Sequence, residues 1–252
     1  MSLESSIADL TTEAKNLIAY FNAKKASIDA AVAAAIAAAP ETLRTWYVDQ
    51  VNGLDTNSGT SMAAPFKTIG KALASTPAFG VATVQLLSDY TFNEVITQNT
   101  ANLVVVGNGV VRNLYPKYYQ VLGSDGVTQS TVMGGFQLVT QGSNIEFRNC
   151  NLVLPTIVGV APVPTVNRST GFVRTNGTGN VPPFLGVALS SIAVTMAPDF
   201  IGSLIGATVA SISLTAINST FPSGFGGKFI GGIASGTLPK DTSNVMSNIS
   251  AL

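Results

Sequence analysis

"NSGTSMAAPFKTIGKAL", residues 57–73, decides how this chain is read, because its two halves ask for different things. The first half offers Ser61, a hydroxyl in a segment bounded by Gly59 and Pro65. The second half places Phe66, Ile69, Ala72 and Leu73 on one face of a short helix, with Pro65 and Thr68 near its start. A serine hydroxyl is a weak nucleophile until a positioned base takes its proton. The chain contains no histidine. Lys67 and Lys71 are the nearby basic groups, and they come without the local motif of a serine–lysine hydrolase. Ser61 is therefore read as part of a turn.

The string Gly59-Thr60-Ser61-Met62-Ala63-Ala64-Pro65 resembles the segment around the nucleophilic serine of subtilisin-type proteases, but that mechanism needs the missing histidine. The surroundings explain it differently. Upstream, Trp46-Tyr47-Val48-Asp49 is a β-prone run. Asn52-Gly53 and the cluster from Asp55 to Gly59 are turn formers, through positive φ at glycine and side-chain bonds to backbone at Asp and Asn. The order "YVD…NG.D.N.GTS…PFKTI.KAL" over residues 46–73 resembles the opening segment of right-handed parallel β-helix proteins of the pectate-lyase-like superfamily, frequent among tailspikes and tail fibres of tailed bacteriophages. The positions that carry it are Tyr47, Asp49, Gly53, Asp55, Gly59, Pro65, Phe66, Thr68, Ile69 and Ala72. The resemblance implies a strand, a turn and a helix that plugs the first coil. A solenoid needs such a cap, since its end coil would otherwise open apolar interior and strand edges to water.

Composition narrows the function classes. Lys plus Arg equals Asp plus Glu at 13 each, and only 10% of the 252 residues are charged, against about 25% in an average globular protein. No basic cluster exceeds Lys24-Lys25, which argues against nucleic acid as a partner. With 46% apolar residues and 24 glycines, polarity comes mainly from Ser, Thr and Asn. That balance suits a chain that buries surface against copies of itself, or an extended β architecture. Cys150 is alone, so no internal disulfide forms, and it is read as a small buried hydrophobe. The N-terminus lacks the basic-then-apolar order of a secretory signal. Residues 200–217, FIGSLIGATVASISLTAI, are uncharged, but their second half alternates as a strand does. No membrane insertion is expected.

The first forty residues read as a self-associating helix. Leu3, Ile7, Leu10, Ala14, Leu17, Phe21, Lys24 and Ile28 repeat at heptad spacing, and the seam continues through Val32, Ala35 and Ala39 after a stutter. Pro40 is expected to end the helix. So long a seam most simply meets identical seams. Its mixed chemistry leaves the number of copies open; the resemblance implies three.

Downstream, ATVQLLSDYTF, ANLVVVGNG and SNIEFRNCNLVLP read as short strands bounded by Asn, Gly, Ser or Asp. Leu103 to Val106 are apolar on both faces, which predicts cover on the outside as well. Asn102 and Asn144 open two similar strands, a spacing that fits two coils of about 21 residues each. Three prolines in residues 154–166 mark a boundary. The organisation expected is a coiled-coil helix over 1–40, a capped body over 41–154, and a Gly/Ser/Thr-rich β region over 155–252. That last region either continues the solenoid or forms a separate β domain. Lys228 follows Gly227, but Phe229 stands where a phosphate-binding loop needs Ser or Thr, so no such loop is assigned. The fold class expected is an all-β, right-handed parallel β-helix-like body behind a long N-terminal coiled-coil helix.

No catalytic, cofactor-binding or metal-ligating residue is assigned. Glycoside cleavage needs two facing carboxylates, about 5–9.5 Å apart, whereas Glu94, Asp125, Glu146, Asp199 and Asp241 are thinly spread. Asp49, Asn52, Asp55 and Asn57 have the composition of a calcium loop but are read as turn formers. The function expected is that of a non-enzymatic virion protein of a tailed bacteriophage: a short fibre or spike of tail, collar or baseplate. Its partners would be its own copies as a homotrimer, other appendage proteins, and a bacterial surface glycan. The alternatives are a polysaccharide-degrading tailspike and a bacterial surface adhesin, the latter disfavoured by the missing export signal.

Overall fold

The computed structural model describes residues 2–38, 42–123, 125–140, 142–175, 184–206 and 210–252. They fall into two units, 1–41 and 42–252. The first is a single helix, α1 (Leu3–Ala38), of 36 residues and so about 54 Å long at a rise of about 1.5 Å per residue. Leu3, Ile7, Leu10, Leu17, Phe21, Ile28 and Val32 are each more than half exposed. The heptad seam is thus an uncovered apolar stripe within one chain. Pro40, the expected stop, lies outside the described residues, as does Ala39.

The second unit is mostly β. Its strands in chain order are β1 (Leu43–Val48), β2 (Val81–Leu86), β3 (Tyr90–Phe92), β4 (Val95–Gln98), β5 (Asn102–Gly107), β6 (Arg112–Pro116), β7 (Tyr118–Leu122), β8 (Gln129–Met133) and β9 (Gly135–Leu138). They continue as β10 (Asn144–Arg148), β11 (Cys150–Leu154), β12 (Gly171–Thr175), β13 (Phe184–Ser190), β14 (Ala193–Met196), β15 (Ser203–Gly206), β16 (Ser211–Ile217) and β17 (Val245–Ser247). A short helix, α2 (Ile69–Ala74), falls between β1 and β2.

All but β7 and β8 sort into three parallel sheets, in the orders β1-β2-β5-β10-β13-β16-β17, β3-β6-β11-β14 and β4-β9-β12-β15. From β2 onward the chain visits the three in fixed rotation: β2-β3-β4, β5-β6-β9, β10-β11-β12, β13-β14-β15. Strands beyond the proline-rich break share their sheets with strands before it. The stretch 200–217, uncharged in sequence, supplies β15 and β16, and no described helix is long and apolar enough to cross a membrane.

The length of each rotation differs from the sequence expectation. Val81 pairs with Asn102, 21 residues on. Asn102, however, pairs directly with Asn144, so those 42 residues are one rotation and not two. The antiparallel hairpin β7–β8 takes up the extra length. Asn144 then pairs with Gly186, again 42 residues on, and this time the excess is the segment 155–170, which ends in a short 3-10 turn. Hairpin and segment are joined: the Gln120 amide donates to the Ala161 carbonyl, and the Thr131 hydroxyl to that of Pro162. The Tyr118 hydroxyl donates to the Ile201 carbonyl at 2.6 Å and accepts its N–H at 3.2 Å.

Alternation sets the core. In the first sheet Trp46, Val84, Val105, Phe147 and Leu189 share one register row and all are buried. Phe147 from this sheet, Phe92 from the second, and Phe136 and Phe172 from the third form one aromatic cluster, with centroids 5.2 to 5.9 Å apart. Edge-to-face pairs at these separations add to the area they bury. The predicted outside cover over 103–106 holds only in part. Val104 is buried, but Val106 is half-buried on the solvent side.

Both ends of the body are closed. Ile69, Ala72 and Leu73 of α2 are buried, and the helix packs on β1, β2 and β4. At the far end Thr220 and Ile230 bridge to β14 and β15, and Phe221, Phe225 and Phe229 stack within 4.8 to 5.2 Å of one another. The glycine-rich stretch thus packs aromatics rather than a phosphate. Lys228 lies over the Phe200 ring at 5.8 Å.

Candidate functional site

The stretch that opened the reading forms the cap over β1. The Thr68 hydroxyl accepts the Lys71 N–H at 3.0 Å and so caps α2. Asp55 holds Thr68 in turn: one carboxylate oxygen accepts the N–H groups of Lys67 and Thr68 at 3.0 and 2.9 Å, and the other accepts the Thr68 hydroxyl at 2.9 Å. Asn57 donates to the Pro65 carbonyl at 2.8 Å. Phe66 bridges to Val48, and its ring lies 5.3 Å from that of Trp46. Gly59 sits at φ +69° against that ring, where a Cβ would overlap it.

Ser61 is exposed, and its carbonyl accepts the Ala64 N–H at 3.2 Å to close a turn. Lys71 lies over the Phe66 ring, 5.9 Å from its centroid. Asp49 accepts the N–H groups of Val51 and Asn52 at 3.0 and 3.1 Å. Partial burial pulls its carboxyl upward, but bonds from Asn52, Ser88 and Val51 outweigh this and hold it below the usual range. Asp49, Asp55 and Asn57 therefore act as the turn formers the sequence suggested. Two variants separate the roles. Asp55→Ala is expected to lower stability by about 1–2 kcal/mol, since it strips a helix cap of its support. Ser61→Ala is expected to stay within about 0.5 kcal/mol of the parent. Thermal or urea unfolding measures both.

The remaining carboxylates are engaged separately. Glu146 binds Arg148 through two bonds of 3.0 and 2.8 Å. Asp125 sits at the tip of the β7–β8 hairpin, where the Thr128 hydroxyl, then the Val127 and Thr128 N–H groups, bring its carboxyl down to about 2. Asp199 accepts the Thr156 hydroxyl at 2.7 Å and the Ile157 N–H at 3.2 Å, tying the proline-rich segment down; that hydroxyl bond is the main reason its carboxyl is lowered. Asp241 pairs with its neighbour Lys240 at 3.0 Å. Glu94 is exposed between β3 and β4. Among the described residues no group of three or more His, Cys, Asp or Glu is placed to hold a metal. Cys150 is buried, and burial pushes its thiol up to about 11.

Two features were not read from sequence. A shallow groove crosses the outer face of the first sheet, lined by Asn102, Asn144, Glu146, Gly186, Ser213 and Thr215. It exists because Gly186 leaves a notch that a Cβ could fill only by overlapping the Asn144 side chain. Arg174 is buried, and its guanidinium donates to the carbonyls of Ser169 and Met133, at 2.5 and 3.2 Å, so it links the 3-10 turn to the end of β8. A lone arginine among Gly171, Phe172, Val173 and Thr175 gave no periodic signal for either role. Comparison with protein-family models and with curated proteins returns no match to this chain.

Proposed function

We propose that the chain is a structural protein of a tailed-bacteriophage particle, a short fibre or spike of the tail, collar or baseplate. Its body is a right-handed parallel β-helix, and α1 joins three copies. The observation that carries this reading is the rotation of the chain through three parallel sheets behind a cap built from residues 46–73, the arrangement that the sequence resemblance implies. The uncovered seam of α1 supports association with further copies. Closed ends support a finite body rather than a filament grown end to end. In this reading the work is attachment: one part anchors to the particle, and another presents or bridges to a neighbouring appendage or a bacterial surface glycan.

The experiment is twofold. Purified phage is searched for the chain by mass spectrometry and its density by cryo-electron microscopy. The purified protein is incubated with capsular polysaccharide and lipopolysaccharide, and released sugar ends are measured. Presence in the particle without turnover is the expected result. Turnover abolished by replacing a carboxylate of the outer groove, Glu146→Gln, would establish the depolymerase instead. Detection on uninfected cells and not on particles would establish an adhesin.

A further inference from the structure

We infer that Lys24 is the register-setting residue of the α1 seam; this rests on the reading that α1 joins three copies. Of the seam residues from Leu3 to Ala35, Lys24 alone is charged. It follows Phe21 and precedes Ile28, so a charged layer sits between two large apolar ones. A closed ring of three identical chains is cyclic, and cyclic symmetry makes the helices parallel and brings equivalent residues to the axis. Three Lys24 side chains therefore meet in one layer. A single polar seam residue lowers stability but fixes register and copy number, because a slipped alignment buries each charge separately among apolar neighbours.

The free helix shows how the layer is tolerated. The Lys24 ammonium lies 5.7 Å from the centroid of the Tyr20 ring, one turn back on the same helix. Tyr20 is at a flanking position, exposed, with its ring edge against Phe21 at 6.0 Å. The ring draws the ammonium out of the seam toward water while the aliphatic stem stays in it. The rest of the helix adds a signed consequence. Glu4, Asp9 and Glu13 lie in its first half with Lys15, while Lys24 and Lys25 lie in its second with Asp29. Parallel copies set like against like, so salt should strengthen the assembly by screening. Antiparallel copies would set the acidic half against the basic one, and salt would weaken them.

The test uses the full chain, with sedimentation and thermal unfolding at low and high ionic strength. The expected result is an oligomer that dissociates less at high salt. Lys24→Leu is expected to bind its copies at least about tenfold more tightly at low salt, to lose most of the salt dependence, and to populate a wider range of copy numbers. Lys24→Arg, which keeps the charge and can stack on Tyr20, should retain the parent behaviour. The proposal is overturned if salt weakens the parent assembly, or if Lys24→Leu matches the parent in tightness and salt response. An oligomer unaffected by charges at Leu10 and Leu17 would instead remove the joined-helix reading beneath it.

Discussion

Leu10→Asp with Leu17→Asp is expected to convert the oligomer wholly to monomer while leaving the β body folded. Both leucines are exposed in the single chain, at 72% and 55%, so the substitutions place no charge in the interior of the monomer. In an assembled seam the same carboxylates would be desolvated with no cation opposite them, and an uncompensated buried charge costs several kcal/mol per chain. Several chains bear that cost at two layers each, which exceeds what a helix interface of this length can offset. Light scattering reads the mass and circular dichroism the β content. A parent-like mass in the double variant would show that α1 does not join copies. A lost β signal would show that the body depends on assembly.

Phe136→Ala should act on the body alone. Phe136 is fully buried and touches Phe92, Phe147 and Phe172, so it links strands from all three sheets. Truncating a core phenylalanine costs about 3–5 kcal/mol, the transfer free energy plus that of the cavity left behind. The neighbouring rings sit on different sheets, which limits how far they can close the void. A large drop in the urea midpoint with unchanged oligomer mass is expected. A loss below about 1 kcal/mol would mean that the cluster is not the tight core described.

What was legible in sequence had short-range causes. Thr68 followed by Ile69, Ala72 and Leu73 announced α2, because capping and one apolar face are set within a single turn of helix. Asn144 to Arg148 announced β10, since alternating apolar and charged residues carry their own period. The third sheet was not legible. Its strands β9, β12 and β15 begin at or near a glycine, have four or five residues, and are buried almost throughout, so there is no alternation to see. Their partners lie tens of residues away, and nothing local states which strand neighbours which. The hairpin β7–β8 was missed because its turn spans six residues, from Gly123 to Thr128, rather than the two of a tight hairpin. That omission turned one rotation of 42 residues into two of half the length. At the candidate site, the turn-forming roles of Asp49 and Asp55 were legible, whereas the notch at Gly186 depends on register and was not.

Successive rotations of this body differ twofold in length, yet the strands they connect stay in step. Doubling a loop costs only about 0.6 kcal/mol of closure entropy, small beside the buried rows it spans. The corners can therefore drift in sequence, gain passengers or shed them, while the framework hardly registers the change. A foreign peptide spliced between β7 and β8 would ride on the outside of the protein as freight, its carrier still able to fold.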